Sequence, residues 1–332
     1  MERRQFLRGL ATGAAAGMLS PRFLFGQATQ PAGTKPNFIV ILTDDHRWDG
    51  LGVVQREQGA QARFPWLKTP HLDKLAEEGV RFRNAFVAYS LCSPARATFL
   101  TGQYGYLNGV LNNRTEFPAT NTTYATVLRE AGYTTGHIGK WHMGKQKDRP
   151  GFDYHATFIE QGDYFDCEFF VNGESKPSTG WVDDVTTDYA LEFLRNNKDK
   201  PFVMAVGYKS THANYEPPER VESLYEGEVA GAVPNADIKM EWLVKPNPQS
   251  KPASRKATDG EVRGDSLENL HNYFRCVTAI DDNIGRLMAG LVELGLDENT
   301  VIVFAGDNGF AVGERGAMNK RSAYEESMRI PL

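Results

Sequence analysis

The chain has 332 residues, of which 41% are hydrophobic and 24% are charged, and its formal net charge is −5 with a pI near 5.9. This composition can supply a full hydrophobic core, and it is typical of a soluble α/β protein rather than of a disordered chain. The acidic balance argues against a general nucleic-acid-binding protein, although local basic residues can still line an anion site.

Residues 1–30 have the pattern of an export signal. Arg3 and Arg4 precede a weakly apolar stretch rich in alanine and glycine, and Gly26 and Ala28 are the small residues expected at a cleavage point. This is the outline of a twin-arginine signal. A transmembrane anchor is the alternative, but the apolar run is shorter than the roughly 20 residues that a span needs. We therefore expect the twin-arginine machinery to export the protein to the periplasm or beyond.

The remainder of the chain alternates predicted strands and helices. An unbroken apolar run at 37–42 is typical of a strand covered on both faces in a parallel sheet. Residues 69–79 have a threonine cap, a first-turn proline and a final glycine, which together predict a helix. The next predicted elements are a strand near 80–86, a helix from Cys92 to Gly102, a helix at 124–131, a strand at 133–138, a helix at 181–195 and a strand at 202–206.

The second half of the chain begins with a segment that lacks periodicity. Six prolines between positions 217 and 252 indicate that residues 216–265 form long surface loops. Apolar spacings of three, four and seven from Leu270 to Leu294 then predict one amphipathic helix, in which Asp281 and Asp282 are solvated or capping charges. A last core strand is predicted at 301–304. The alternation predicts an α/β fold, with a mostly parallel central sheet flanked by helices on both faces.

Three cysteines are too few for a disulfide framework or a thiolate metal cage. A bond between Cys167 and Cys276 would leave Cys92 unpaired, but three separate thiols are the simpler interpretation. Cys92 begins a predicted helix, so its thiol lies at the positive end of the helix dipole, with Arg96 one turn away. This placement predicts a reactive thiol. A small buried thiol beside a helix start is the alternative.

Acidic residues follow the first and the last predicted strands of the sheet. Asp44 and Asp45 follow the first strand, and Asp307 and Asn308 follow the last. In open parallel sheets, ligands bind beyond the carboxyl ends of the strands, so neighbouring strands would bring three carboxylates and one amide oxygen together. Oxygen-only ligands favour Ca²⁺ or Mg²⁺ over zinc. Each pair by itself could simply form a turn after its strand.

Four basic residues are candidates for holding an anion at the same edge of the sheet. Lys140 and His142 follow the third predicted strand, His212 follows the fourth, and Lys320 lies near the end of the chain. Their donors could surround the oxygens of an anion. A solvated surface charge or a loop histidine is the alternative for each. The other five histidines have no comparable placement and are interpreted as structural: His46, His71, His137, His155 and His271.

Three stretches resemble motifs of the type I sulfatases. The stretch CSPARATFLTG, from Cys92 to Gly102, resembles the signature in which the cysteine is oxidised to Cα-formylglycine. The stretch from Gly132 to His142 resembles the second signature, and Asp307-Asn308-Gly309 with Lys320 resembles the late metal and lysine motif.

The resemblance extends over residues 36–332 and implies an alkaline-phosphatase-like catalytic domain in which 216–265 is a loop-rich insertion. The family continues into a smaller C-terminal subdomain that this sequence lacks. We therefore expect a C-terminally truncated chain.

The resemblance also implies the role of each candidate residue. The divalent ion, Ca²⁺ or Mg²⁺, would be bound by the modified Cys92 together with Asp44, Asp45, Asp307 and Asn308. Arg96 would support the modified Cys92. The sulfate would be held by Lys140, His142, His212 and Lys320.

The implied reaction is hydrolysis of the sulfate ester of an alcohol or a sugar. One hydroxyl of hydrated formylglycine, made more acidic by the metal, attacks sulfur while the alcohol leaves, and His212 protonates that alcohol. The second hydroxyl then loses its proton, sulfate is expelled with assistance from His142, and the aldehyde returns. A formylglycine-generating enzyme would have to modify Cys92 first.

Two other functions stay open at this point. A phosphomonoester or phosphonate ester hydrolase of the same superfamily could use a similar site, although a two-zinc phosphatase would place more histidines near the metal carboxylates. A non-catalytic protein that binds sulfated glycans could keep the pocket, but Cys92, Pro94 and Arg96 argue against it. The aromatic-rich segment 164–170 could be a loop that faces a sugar, although such residues more often pack in a core.

Overall fold

The computed structural model describes residues 35–238, 267–316 and 318–332. The predicted export signal at 1–30 and residues 239–265 of the predicted loop segment lie outside these residues. In the described part of that segment, 216–238, the structure has a short 3₁₀ helix at Glu219–Val221 and no strand. Among the residues described, no helix is both long enough and apolar enough to span a bilayer.

The helices and strands of the described residues follow the predicted alternation. The strands are β1 Asn37–Thr43, β2 Ala85–Phe86, β3 Thr134–Lys140, β4 Tyr154–Phe158, β5 Glu168–Val171, β6 Glu174–Pro177, β7 Phe202–Gly207, β8 Thr300–Gly306, β9 Ala311–Val312, β10 Met318–Asn319 and β11 Arg329–Ile330. The α-helices are α1 Gly52–Gln58, α2 Pro70–Glu78, α3 Cys92–Thr101, α4 Gly105–Asn108, α5 Tyr124–Glu130, α6 Val182–Asn197, α7 Leu267–Glu293 and α8 Glu325–Met328.

Seven strands form the central sheet, in the order β6-β5-β4-β3-β7-β1-β8. The five strands from β4 to β8 in this order are parallel to one another, and β5 and β6 add an antiparallel edge. The prediction of a mostly parallel sheet is therefore confirmed. The parallel order places the carboxyl ends of β1, β3, β7 and β8 at one edge.

Helices cover both faces of this sheet. Successive residues of β7 enter different cores: Met204 packs in a core with Phe193 of α6 and Val277 of α7, whereas Ala205 packs in a second core with Leu100 of α3. This alternation is the period of two that a strand imposes on its side chains. The unbroken apolar runs of the central strands follow from burial on both faces.

Two predicted strands differ from the structure. The strand expected near 80–86 is reduced to β2, which pairs with β11 outside the central sheet, and Val80 and Phe82 are exposed. The strand at 301–304 lies in β8 at the edge of the sheet, with Val301 45% and Val303 36% exposed. A short apolar run has the same appearance in a central strand and in an edge strand, so the sequence pattern did not distinguish them.

The aromatic-rich segment at 164–170 is not a loop that offers its rings to a ligand. Phe169 and Phe170 lie on β5 and are buried, and Tyr164 is buried as well. Phe165 is the exposed ring of this group, with 42% of its surface accessible. Packing therefore accounts for most of the segment.

Asp281 and Asp282 of α7 belong to neither cluster of potential metal ligands found among the described residues, as predicted. Asp281 is buried and accepts hydrogen bonds from the backbone N–H groups of His71 (3.1 Å) and Leu72 (2.7 Å). These groups lie in the first turn of α2, where N–H groups have no partner within the helix. Asp282 forms a surface ion pair with Arg220 at 3.2 Å.

Candidate functional site

The acidic residues after β1 and β8 meet at the carboxyl edge of the sheet. Thr43 is paired with Gly306 in the parallel register, so the residues that follow them are neighbours. The backbone N–H of Asp45 donates to Asp307 Oδ1 at 3.2 Å, and Asn308 Nδ2 donates to Asp45 Oδ1 at 2.6 Å. All of these side chains, with that of Asp44, are fully buried.

The start of α3 brings Cys92 to this cluster. The Cys92 thiol donates to Asp44 Oδ1 at 3.2 Å, and Lys320 Nζ donates to Cys92 Sγ at 2.9 Å. One ligand atom from each of four residues lies within 4.8 Å of the others: Asp44, Asp45, Cys92 and Asp307. A ring nitrogen of His212 lies within the same distance of Asp44 and Cys92 ligand atoms.

Buried basic side chains surround the carboxylates. Lys320 Nζ donates to Asp45 Oδ1 at 2.5 Å, and Lys140 Nζ donates to Asp44 Oδ2. Arg96 Nε donates to Asp307 Oδ2 at 2.8 Å. Three basic side chains therefore face three acidic ones in a region without solvent, and burial lowers the pKa of Lys140 well below the ordinary lysine value.

Arg96 acts on the carboxylates and the backbone rather than on the thiol. Besides its contact with Asp307, it donates from Nη1 to the carbonyl of Lys140 at 3.0 Å, and its Nη2 lies 3.8 Å from Asp44 Oδ2. The ends of strands β3 and β7 lie very close together at this point. A Cβ on Gly207 would lie 2.3 Å from the Lys140 carbonyl oxygen, so a glycine is required there.

The expectation of an activated Cys92 thiol does not agree with the structure. Burial raises the pKa of this thiol to about 12, and the nearby Asp307 and Asp45 carboxylates raise the pKa further, against the opposing effect of Lys320. A thiolate is therefore disfavoured at neutral pH. The helix dipole and Arg96, on which the expectation rested, are outweighed by desolvation.

The cluster fits a hard divalent cation. Asp45 Oδ2 and Asn308 Oδ1 are buried oxygen atoms without a hydrogen-bond partner among the described residues. Such atoms are costly unless something binds them. Carboxylate and amide oxygens are the ligands that Ca²⁺ and Mg²⁺ prefer. The residues predicted to hold the metal are thus brought together, and two of their oxygen atoms have no hydrogen-bond partner among the described residues.

Two of the histidines belong to the site and are neutral. Burial lowers the pKa of His212 and of His142 well below the ordinary value, and the neighbouring Lys320 and Lys140 lower both further. Nδ1 of His212 lies 2.6 Å from the Ala213 carbonyl oxygen, which can only accept a hydrogen bond, so Nδ1 carries the proton. Its Nε2 is buried without a partner among the described residues.

The five histidines interpreted as structural pack elsewhere. His46, for example, is buried and lies 2.9 Å through Nε2 from the Gly50 carbonyl oxygen, and burial lowers its pKa to about 4. Cys167 and Cys276 are buried free thiols, as the simpler interpretation predicted.

A cleft of about 920 Å³ opens beside His142. Its walls are mostly polar and include Asn112, Arg114, Asp163 and Arg321. Gln161, which follows β4, also lines this cleft and contacts both Lys140 and His142. Sequence reasoning missed Gln161. The sequence feature that could have identified Gln161 is its position shortly after β4, a strand that ends at the same edge of the sheet.

The sequence profile of the Sulfatase family matches residues 36–332. The chain belongs to the sulfatase family. It is 31% identical to an N-acetylglucosamine-6-O-sulfatase from Bacteroides thetaiotaomicron, over 90% of this chain and 62% of that protein. It is also 31% identical to an ulvan-active sulfatase from Formosa agariphila, over 90% of this chain and 56% of that protein. The chain therefore spans less than two thirds of the length of these relatives.

Solved structures agree with the sulfatase fold. A protein in complex with its substrate D-glucosamine-2-N,6-O-disulfate superposes with a TM-score of 0.74 at 30% identity, over 90% of this chain and 70% of that one. A phosphonate monoester hydrolase of Agrobacterium radiobacter superposes with a TM-score of 0.67 at 21% identity, over 90% of this chain and 67% of that one. At that identity, the likeness shows the fold alone.

Proposed function

We propose that this sulfatase-family protein hydrolyses a sulfate ester of a sugar, with formylglycine derived from Cys92 and a bound Ca²⁺ or Mg²⁺. The observation that carries the proposal is the convergence of Cys92 with Asp44, Asp45 and Asp307 within 4.8 Å. A thiol, carboxylates and basic side chains converge at one buried point. The membership of the chain in the sulfatase family indicates sulfate ester hydrolysis as the reaction of such a site.

The metal would be held by Asp44, Asp45, Asp307 and Asn308, together with the modified side chain of Cys92. When bound, it supplies Lewis-acid stabilisation of negative charge and makes an attached hydroxyl more acidic. Calcium is the first choice because the predicted protein ligands are hard oxygen atoms, with Mg²⁺ as the second.

The pKa of Cys92 supports modification rather than direct thiolate attack. With its pKa raised to about 12, the unmodified thiol is a poor nucleophile at neutral pH. A thiolate or serine that did accept the sulfuryl group would be left as a stable covalent ester. The hydrate of an aldehyde avoids this outcome, because its second hydroxyl can lose a proton while sulfate is expelled.

The basic residues divide the remaining tasks. Lys140 and Lys320 balance the charge on the sulfate oxygens. His212 exchanges a proton with the departing alcohol through Nε2, because its Nδ1 proton is committed to the Ala213 carbonyl. A bound sulfate ester adds negative charge beside this ring, which raises its pKa and so favours the acidic form. His142 assists the expulsion of sulfate.

We also propose a sulfated sugar as the substrate class. The two relatives described above are named for sulfated sugars or polysaccharides, and a structural neighbour was solved with a disulfated glucosamine. The polar cleft of about 920 Å³ beside His142 can accommodate a monosaccharide ring.

Maturation and export complete the proposal. A formylglycine-generating enzyme would convert Cys92. The twin-arginine pattern of residues 1–30 supports export to the periplasm or beyond.

The test combines mass analysis with turnover. Trypsin should release residues 84–96 as one peptide, which is lighter when the CH₂SH group of Cys92 has become CHO. We expect this lighter peptide in active protein, loss of turnover in Cys92→Ala, and loss on chelation that Ca²⁺ reverses better than Zn²⁺. Full activity with an unmodified peptide would refute the mechanism. Faster turnover of a phosphate or phosphonate ester than of the matched sulfate ester would favour the rival hydrolase, and glycan binding without turnover would favour the binding protein.

A further inference from the structure

Asp45 has a backbone conformation that is uncommon for a residue with a Cβ. Its φ is 52°, in the left-handed region that glycine adopts readily and that costs other residues free energy. Such a conformation persists where the surrounding structure holds it. Asp45 is also one of the predicted metal ligands, and its carboxylate contacts Asn308 and Lys320. The contacts of the Asp45 backbone therefore decide where one metal ligand lies.

A buried hydroxyl of α7 lies within the loop that follows β1. Tyr273 Oη donates to the Asp45 carbonyl oxygen at 2.7 Å and accepts from the backbone N–H of Arg47 at 3.0 Å. A backbone N–H can only donate and a carbonyl oxygen can only accept, so the direction of both hydrogen bonds is fixed. It does not depend on the protonation of any side chain. The Tyr273 hydroxyl thus connects the C=O of Asp45 to the N–H two residues later.

A second hydroxyl approaches the same carbonyl from the loop after β7. Thr211 Oγ1 lies 3.2 Å from the Asp45 carbonyl oxygen and 3.1 Å from that of Asp44, so its one proton is shared between them. The Thr211 N–H also donates to the Asp44 carbonyl at 2.5 Å. The peptide groups on both sides of the Asp45 Cα are therefore held. Their orientations are what φ and ψ of Asp45 describe.

The Tyr273 ring is fixed in the core and cannot easily follow the loop. It is fully buried, and its centre lies 5.4 Å from the Tyr215 ring and 6.3 Å from the Phe310 ring. Phe310 is two residues beyond the ligand Asn308, and its carbonyl accepts from Arg47 Nη1 at 2.7 Å. Both loops that carry predicted metal ligands are thus held against one packed aromatic group. A hydroxyl on such a rigid element defines the position of its partner closely.

We infer that Tyr273, supported by Thr211, is a positioning residue that holds Asp45 in its left-handed conformation, so that the Asp45 carboxylate is in place before a divalent cation binds. The inference rests on the proposed function for the identity of the ion. A ligand that is already in position loses less conformational freedom on binding, so the support strengthens metal affinity. Tyr273 and Thr211 act on the Asp45 backbone rather than on the ion.

Calcium binding by protein whose Cys92 is unmodified tests the inference. Tyr273→Phe keeps the buried ring and removes only the hydroxyl. We expect the calcium Kd from isothermal titration to rise by about 10-fold, at the lower end of the effect of removing a residue that orients a metal ligand, because Thr211 remains. A wild-type calcium Kd in this variant would overturn the inference, even if the variant is less stable.

The matched control is Tyr208→Phe. Tyr208 is also fully buried, and its hydroxyl lies 3.0 Å from Thr187 Oγ1 and contacts neither metal-ligand loop. Both variants should lose stability in urea unfolding with excess chelator, because each loses a buried hydrogen bond. Only Tyr273→Phe should bind calcium more weakly. An equal rise in the calcium Kd of the control would show a general effect of lost stability and would overturn the inference.

Thr211→Val tests the second hydroxyl in the same assay, and it decides alone if Tyr273→Phe does not fold. Valine has nearly the shape of threonine. We expect a smaller rise in the calcium Kd than in Tyr273→Phe, because the Thr211 proton is shared between two carbonyls. The double variant should reach on the order of 100-fold. Wild-type calcium affinity in Thr211→Val would overturn the inference.

Metal-free crystal structures give a readout that does not require calcium binding. We expect a positive Asp45 φ in the wild type and in Tyr208→Phe. In the double variant, Asp45 should leave the left-handed region, and its carboxylate should move away from Asn308 and Lys320. An unchanged Asp45 in the double variant would overturn the inference. Wild-type protein that binds no calcium would instead refute the metal of the proposed function, and these structures would still decide what holds Asp45.

Kinetics in matured protein separate positioning from catalysis. At limiting calcium, Tyr273→Phe should turn over a sulfated sugar more slowly than the wild type, and excess calcium should restore its kcat, because the variant lacks only affinity for the ion. A loss of kcat that excess calcium does not reverse would contradict the assigned role. Absence of turnover in matured wild-type protein would refute the proposed function, and the calcium titrations would still test the inference.

Discussion

Lys320 allows a direct test of the charge balance in the site. Its side chain is 1% exposed, and its Nζ lies 2.5 Å from Asp45 Oδ1 and 2.9 Å from Cys92 Sγ. Burial disfavours the ammonium, but Asp45, Cys92 and Asp307 together outweigh burial and raise the pKa of Lys320 above the ordinary lysine value. The side chain is therefore charged at neutral pH. Lys320→Met keeps most of the volume of this side chain and removes the charge together with the hydrogen bonds to Asp45 and Cys92.

The expected cost without metal follows from the burial of the pair. Removing one partner of a buried ion pair leaves an uncompensated charge and costs about 3–5 kcal/mol. Arg96 and Lys140 still face Asp307 and Asp44, so the loss falls on Asp45. Urea unfolding in excess chelator should show this decrease in the free energy of unfolding. The control is Lys74→Met, an exposed lysine 3.8 Å from Glu78, which should cost less than about 0.5 kcal/mol.

Calcium should offset part of this loss. The ion and the Lys320 ammonium both compete for the Asp45 carboxylate, so removal of the ammonium should tighten calcium binding. A tenfold lower Kd corresponds to about 1.4 kcal/mol of additional stabilisation by saturating calcium. Isothermal titration and urea unfolding with calcium measure the two quantities. Wild-type stability in chelator, or weaker calcium binding by Lys320→Met, would refute this account of the site.

Three further substitutions test the surrounding structure. Gly207→Ala should lower the free energy of unfolding in urea by at least about 1–3 kcal/mol, because the added Cβ would lie 2.3 Å from the Lys140 carbonyl oxygen. Unchanged stability would mean that β3 and β7 can separate. Burial raises the pKa of Glu314, but Arg47 and Arg63 outweigh it and lower that pKa to about 2. Glu314→Gln should therefore lower the free energy of unfolding by about 3–5 kcal/mol at pH 7. The difference in stability between the variant and the wild type should shrink as the pH falls from about 4.5 towards 2. A difference that is constant with pH would contradict the pairing. Burial raises the pKa of Asp281 to about 6, so the folded protein binds this proton more tightly than the unfolded chain does, and this carboxyl should lower stability as the pH rises from about 4 to 6. Asp281→Asn should flatten that dependence in unfolding measured across this range, and an unchanged slope would show that other groups cause it.

The sequence predicted those parts of the site that follow from strand ends. Asp44 and Asp307 each follow an apolar run, and the carboxyl ends of parallel strands lie at one edge, so their meeting could be inferred without coordinates. Cys92 could be placed because proline in the first turn and a final glycine mark the limits of its helix. The side-chain type of these residues, and their position at the end of a strand or the start of a helix, can both be read from the neighbouring sequence.

Other features depend on tertiary packing and were not predictable. The thiol pKa depends on burial under the neighbouring strands, which a helix-dipole argument does not include. Gln161 has no motif of its own, and its importance comes from contacts with residues 19 and 21 positions away. The edge position of β8 follows from strand order, whereas its composition matches that of a central strand.

The pairing of Thr43 with Gly306 also sets an order of events during synthesis. β1 leaves the ribosome early, but it can pair with β8, and Asp45 can meet Asp307, only after some 260 further residues have been made. Contacts of this separation form late, because a long loop must close first. Until then Cys92, which is fully buried in the finished fold, is open to any enzyme that must reach it. Conversion of this residue is therefore expected on the nascent or unfolded chain, and a completed fold should resist it.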